Sequence, residues 1–116
     1  GGTMKMLTKE IEKRIPGIGE TSGDAPEPWN GENVGDKARV HVKFFSPWTG
    51  WTWYATEYEP ETQRCFGYVQ GFEAELGYFD LDELAEVKGP MGLTVERDMH
   101  WNDKNTLADV KAGRAA

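Results

Sequence analysis

Two segments of the chain alternate apolar and polar residues with the period of two that is typical of β-strands. In residues 38–45, valine and phenylalanine share one face, while Arg39, His41 and Lys43 share the other. Residues 51–58 are rich in aromatic and β-branched residues, which favour strands. Because a short segment with proline and glycine at turn positions separates the two, the pattern predicts an antiparallel hairpin.

Three later segments also have strand character. Residues 64–70 are predominantly apolar, and Gly67 within them indicates a bulge or a close backbone approach. Residues 76–79 fit a short extended piece, and residues 93–101 alternate again as a last strand.

The first helix is predicted after Thr8, which is a favourable N-cap residue. Leu7, Ile11 and Ile15 recur every four residues and form an apolar stripe, and Pro16 ends the helix after about two turns. A helix this short is stable only when it packs against the rest of the domain.

Two further short helices are predicted nearer the C-terminus. Asp80 and Glu83 have the spacing of a capping box, and the helix that they begin would direct Leu81 and Leu84 inward. Residues 106–111 fit a single C-terminal helical turn.

These elements predict an α+β fold in one domain, with an antiparallel sheet of about four strands and short flanking helices. We expect residues 1–3, which precede the first methionine, to be a cloning remnant, and the domain to span residues 4–112. The segment 17–36 is rich in glycine and proline, so we expect a long mobile loop, with Trp29 pinning it to the domain. Residues 113–116 are expected to be a frayed tail.

The formal net charge of -7 is unevenly distributed along the 116 residues. Residues 44–87 contain nine acidic residues, a single basic one (Arg64) and twelve of the fourteen aromatic residues. Acidic segments that are disordered contain few aromatic residues, so this combination predicts a folded core with an acidic outer surface. The net charge disfavours nucleic acids and anionic membranes as partners.

The single cysteine excludes an internal disulfide framework and a zinc site built from several cysteines. No apolar run is longer than three residues, so no transmembrane helix is expected. These features favour a cytoplasmic protein that binds no membrane. Cys65 itself is predicted to be a buried structural thiol.

The predicted last strand carries the first candidate site. Glu96, Asp98 and His100 would share one face, where they could hold a divalent cation or perform acid–base chemistry. The alternative is a solvated polar face without a function. Arg97 would lie on the opposite, apolar face, where a buried guanidinium needs a carboxylate partner such as Glu57 or Glu75. The alternative for Arg97 is a role in binding an anion.

The second candidate is a cluster of acidic residues without a basic one: Glu73, Glu75, Asp80, Asp82, Glu83 and Glu86. Paired carboxylates are used by hydrolases, but this spacing does not specify catalysis. Solubility and helix capping explain the cluster equally well, and a third interpretation is a patch that docks on a basic protein surface.

The third candidate is the hairpin, where three basic residues would share a face with Thr52, Tyr54, Thr56 and Tyr58. Basic residues beside exposed aromatic rings bind single-stranded nucleic acid in some proteins. The acidic residues nearby oppose this interpretation. Trp51 and Trp53 alternate onto the other face and are expected in the core.

Four segments resemble a bacterial protein family of unknown function, DUF2958: LTKEIEKRIP (7–16), HVKFFSPWTGWTWYATE (41–57), GFEAELGYFDLDELAEVKGP (71–90) and GLTVERD (92–98). The resemblance implies a small cytoplasmic protein that mobile elements often carry, and it implies no particular activity. The residues that match the family's motifs are Trp53, Tyr54, Glu57, Glu75, Gly77, Tyr78, Glu96, Arg97 and Asp98. Cys65 and the length of the 17–36 loop depart from the family's pattern.

Three functional hypotheses follow. The first is a non-enzymatic accessory or inhibitory module that needs no cofactor and binds a partner protein through Trp53, Tyr54, Tyr78, Glu73, Glu75, Asp82 and Glu86. The second is an enzyme, with or without a metal ion, that uses Glu57, Glu75, Glu96, Arg97, Asp98 and His100. The third is a module that binds single-stranded nucleic acid through the hairpin face. The sequence does not indicate an oligomeric state.

Overall fold

An antiparallel sheet organises the protein, whose computed structural model describes residues 6–21 and 35–116. Within these ranges the strands are β1 (Val42–Phe45), β2 (Thr52–Glu59), β3 (Arg64–Gln70), β4 (Ala74–Asp80) and β5 (Glu96–Arg97), in the spatial order β4-β3-β2-β1-β5. The helices are α1 (Lys9–Arg14), α2 (Leu81–Glu86) and α3 (Leu107–Lys111). The predicted α+β class is confirmed, with five strands rather than about four.

The first helix begins as predicted. The hydroxyl of Thr8 accepts a hydrogen bond from the backbone N–H of Ile11 at 3.2 Å. Leu7, Ile11 and Ile15 are all buried, so the apolar stripe packs against the core. None of the helices in the described ranges has the length and apolar character needed to cross a membrane.

The second helix has the predicted inward residues but not the predicted cap. Leu81 and Leu84 are buried. The capping-box prediction is wrong, because the Asp80 side chain makes no capping hydrogen bond and instead accepts one from Nε of Arg64 at 2.9 Å. Asp80 and Arg64 are directly opposite each other on β4 and β3, so a cross-strand ion pair replaces the cap.

Each face of the sheet contributes to a separate hydrophobic core. The larger core joins α1 and α2 to one face, and it contains Leu7, Ile11, Ile15, Val42, Phe44, Ala55, Tyr58, Cys65, Phe79, Leu81, Leu84 and Val95. The smaller core joins α3 to the other face, and it contains Ala38, Val40, Tyr54, Leu107 and Val110. Burial on both faces explains why the central strands are so rich in aromatic residues.

A β-bulge interrupts the alternation of β2. The pairing with β3 shifts register between Ala55 and Glu57, so Tyr58 lies opposite Cys65 and reaches the larger core. The prediction that Tyr58 shares a face with Tyr54 is therefore wrong, since one extra residue reverses the alternation. The close approach predicted at Gly67 is confirmed, because a Cβ there would lie 1.7 Å from the Tyr54 carbonyl oxygen.

Both ends of the predicted strand 93–101 are corrected. Only Glu96 and Arg97 form β5, because the side chain of Asp98 accepts a hydrogen bond from the backbone N–H of His100 at 2.9 Å and turns the chain. Met99, which alternation would place on the apolar face with Val95 and Arg97, is 79% exposed. The predicted strand 38–45 likewise begins only at Val42.

Hydrogen bonds hold the C-terminal segment that lies outside the sheet. The predicted C-terminal helical turn is confirmed as α3, which begins with a capping box between Thr106 and Asp109. The backbone of Ala116 exchanges two hydrogen bonds of 3.1 Å with the side chain of Asn105. The interpretations of residues 1–3, of Trp29 and of most of the 17–36 loop lie outside the described residues.

Candidate functional site

An exposed strand at one end of the sheet is the most prominent surface feature. β4 is the edge strand, and β3 is its one partner in the described sheet. Leu76 and Tyr78 project from β4 on the sheet face that carries Tyr54 and Tyr68, beyond the area that α3 covers. They are 46% and 60% exposed, respectively. Apolar side chains on an open strand are an established basis for protein association.

The Tyr78 ring is held in a defined position on this surface. It packs edge-on against Phe66 with ring centroids 5.1 Å apart, and the guanidinium of Arg64 lies 5.9 Å from its centroid. Arg64 is paired with Asp80, and the hydrogen bond that it donates to that carboxylate raises the pKa of Arg64 above its ordinary value. The charge of Arg64, the basic residue of the acidic segment, is therefore neutralised locally.

Exposed carboxylates lie just before β4, on the face of β4 opposite to Leu76 and Tyr78, and on α2, which packs on that opposite face. Within the described part of the chain they form no ion pair, and they are Glu73, Glu75, Asp82, Glu83 and Glu86. We call β4, with Leu76, Tyr78 and these five carboxylates, the β4 edge surface. It offers unpaired backbone groups, apolar contacts and a negative potential to an approaching chain.

Two aromatic residues that the sequence suggested for binding lie elsewhere. Tyr54 is 7% exposed and belongs to the smaller core, and Trp53 packs against the larger one. Lys43 lies 5.7 Å from the centroid of the Tyr54 ring. Because Tyr54 is buried, it has no free face on which a nucleic-acid base could stack.

Glu57 has a structural environment. It is 1% exposed, and its carboxylate accepts hydrogen bonds from the backbone N–H of Gly19 at 2.9 Å and from the backbone N–H and hydroxyl of Thr21, both at 2.6 Å. All three donors belong to the segment that follows α1. Glu57 therefore attaches this segment to β2 and does not pair with Arg97, for which it was one of two suggested partners.

The other catalytic candidates lie at opposite ends of the sheet. Glu75 is on β4, whereas Glu96 and Arg97 are on β5. Arg97 donates a hydrogen bond to the carbonyl oxygen of Met6 at 3.0 Å, and it lines a cleft together with Asp98. Glu96 and the exposed His100 do not line that cleft. The candidates are thus not assembled into one centre.

The described residues assemble no centre for metal or thiol chemistry either. The residues in the two described ranges contain no group of three or more His, Cys, Asp or Glu side chains able to hold a metal ion. Glu96, Asp98 and His100, the weak metal candidates, are therefore not brought together as a ligand set. Cys65 is buried as predicted, and burial raises the pKa of its thiol well above the ordinary value, which suppresses the reactive thiolate.

Sequence reasoning missed Leu76 as a surface residue. The signal was present, because Ala74, Leu76 and Tyr78 alternate with Glu75 and Gly77. The segment was predicted only as a short extended piece, so its outer face was not considered.

Comparison with known sequences agrees with the motifs described above. Curated proteins and solved structures yield no match to this chain. The sequence model of one family, described as a protein of unknown function, matches residues 6–115. The chain therefore belongs to the DUF2958 family.

Proposed function

We propose that this protein is a non-enzymatic binding module whose β4 edge surface takes up a basic, extended segment of a partner protein. The observation that carries the proposal is an edge strand of the described sheet that exposes Leu76 and Tyr78 on one face, with carboxylates that form no ion pair in the described chain before it, on its other face and on α2. An added strand would form backbone hydrogen bonds with β4, and lysine or arginine side chains on it would compensate the acidic residues.

The same proposal extends to the biological role. An accessory or inhibitory module of a bacterial mobile element, acting in the cytoplasm, would use this surface to cover a basic region of another protein. The support is the charge excess of the 44–87 segment together with the resemblance of the motifs to DUF2958.

The enzyme and nucleic-acid hypotheses have less support from the geometry. Catalysis would need Glu75 near Arg97, yet they lie on the two outer strands of the sheet. Nucleic-acid stacking would need an exposed Tyr54, yet Tyr54 is buried.

The test uses a synthetic peptide of alternating lysine and valine, titrated into the full chain and followed by backbone amide NMR. We expect the largest shifts at β4, and we expect Glu73→Gln combined with Glu75→Gln to weaken binding by about tenfold, which corresponds to ~1.4 kcal/mol. The matched control combines Glu10→Gln with Glu96→Gln, which changes the net charge equally at exposed positions away from β4.

The control pair should bind the peptide as the unmodified protein does. If both pairs weaken binding equally, the peptide senses only net charge and a localised surface is contradicted. Shifts that avoid β4, or no binding at low salt, would also overturn the proposal.

A further inference from the structure

A cleft far from β4 lies between α1, the start of β1 and the turn after β5. Its volume is about 180 Å³. Arg14 of α1, His41 beside β1 and Arg97 of β5 line it, and Trp101 contributes an aromatic wall. The cleft combines polar with apolar walls, and its volume lies below the roughly 300–1,000 Å³ of pockets for drug-sized ligands, so it suits a ligand of few atoms.

His41 supplies the unusual feature of this cleft. The residue is 8% exposed, and its Nδ1 atom is buried without a hydrogen-bond partner among the described residues. Its backbone N–H donates to the carbonyl oxygen of Ala55 at 2.9 Å, so the position of the residue is fixed by β2. Because Nδ1 itself is enclosed, a ligand in the cleft would contact the remaining part of the imidazole, which lines the cleft.

The surroundings of His41 favour a negative group. Burial, and then the charges of Arg39 and Arg14, lower the pKa of His41 to about 4, although Asp103 opposes them. His41 is therefore neutral near pH 7 and lies in a region of positive potential. The charged groups that line the cleft or act on His41 are Glu10, Arg14, Arg39, Arg97, Asp98 and Asp103.

Several of these charges are already engaged. The side chain of Asp98 accepts a hydrogen bond from the backbone N–H of His100, and Arg14 forms an ion pair with Asp103 at 3.2 Å. Arg97 gives a hydrogen bond to Met6, which leaves further guanidinium N–H groups. Because Glu10 and Asp98 balance the two arginines of the lining, the cleft disfavours polyanions and suits a single oxyanion.

We propose that this cleft binds a small molecule carrying one oxyanion, a phosphate or a carboxylate group, between Arg14, Arg97 and the part of the His41 imidazole that lines the cleft. Arginine donates to such groups in the planar geometry that matches them, and the imidazole adds one donor. The remainder of the ligand would contact Trp101. This site is independent of the β4 edge surface.

The test follows the imidazole signals of the full chain by NMR, because the protein has two histidines and the exposed His100 is an internal reference. Inorganic phosphate and acetate are added separately at constant ionic strength, with chloride as the background salt. We expect saturable shifts at His41 but not at His100, and a higher pKa of His41 when the anion is bound. Saturation with phosphate alone or acetate alone identifies the preferred oxyanion.

Variants separate the site from general charge effects. We expect Arg97→Gln and Arg14→Gln each to weaken anion binding at His41 by about tenfold or more, since each removes a charged donor. Lys88→Gln, an exposed position outside the cleft, removes the same charge and should leave binding unchanged. The proposal is overturned if neither probe gives a saturable shift at His41, if His100 shifts equally, or if all three variants behave alike.

Discussion

Glu57 is a buried carboxylate that joins β2 to the segment after α1. It accepts one hydrogen bond from Gly19 and two from Thr21, and the donors satisfy much of its charge. Glu57→Gln places an amide donor where one of these acceptor oxygens lies, leaving a donor facing a donor. We expect the free energy of unfolding to fall by about 2–3 kcal/mol, measured by urea denaturation.

Glu75→Gln is the matched control for this change, because Glu75 is exposed on the same sheet. Its effect on the free energy of unfolding should stay within about 0.5 kcal/mol. Equal effects of the two substitutions would contradict a structural role for Glu57.

The role of Glu57 illustrates what sequence could not supply at the residue scale. Its donors Gly19 and Thr21 are 38 and 36 positions away along the chain. The Thr8 cap, by contrast, has its partner three positions away and was predicted correctly. Local spacing encodes local hydrogen bonds, whereas a contact between distant segments depends on how the whole chain folds.

At the scale of elements, the pairing of β2 with β3 depends on a single glycine. A Cβ at Gly67 would lie 1.7 Å from the carbonyl oxygen of Tyr54, next to the bulge, and the neighbouring atoms are backbone. We therefore expect Gly67→Ala to lower the free energy of unfolding by more than about 3 kcal/mol, or to prevent folding. Thermal unfolding followed by circular dichroism measures this.

Gly77 provides the control because it is the residue paired with Gly67 on β4 and has open space where a Cβ would be. Gly77→Ala should leave stability unchanged or raise it by about 0.5–1 kcal/mol, since alanine restricts the unfolded chain more than glycine does. A large loss from Gly77→Ala, or none from Gly67→Ala, would show that the bulge is not the sensitive feature.

The elements also show where periodicity stops being informative. The apolar stripe of α1 follows a regular period and residues 64–70 are predominantly apolar, and both predicted elements are confirmed. In β2 the bulge adds one residue without altering the local alternation, so sequence assigned Tyr58 to the wrong face. In β5 the Asp98 side chain ends the strand by binding the backbone, although apolar and polar residues continue to alternate.

At the scale of the whole molecule, the positions of the charged residues matter more for binding than the net charge of -7 does. Glu86 is the last residue of α2, a helix with no basic residue in its last turn, and Glu83 lies one turn before it. A carboxylate there opposes the helix dipole and repels its neighbour. An acidic residue at an unfavourable helix position is consistent with a role in binding rather than in stability.

Glu86→Gln tests this separation of stability from binding. We expect the free energy of unfolding to rise by about 0.5 kcal/mol, while affinity for the lysine–valine peptide falls because the β4 edge surface loses a carboxylate. Glu10→Gln is the counterpart, because Glu10 lies in the first turn of α1, where the dipole favours an acid. It should lower stability by a similar amount and leave peptide affinity unchanged. If Glu86→Gln stabilises the protein without lowering its affinity for the peptide, α2 does not belong to the binding surface. Docking is then confined to β4.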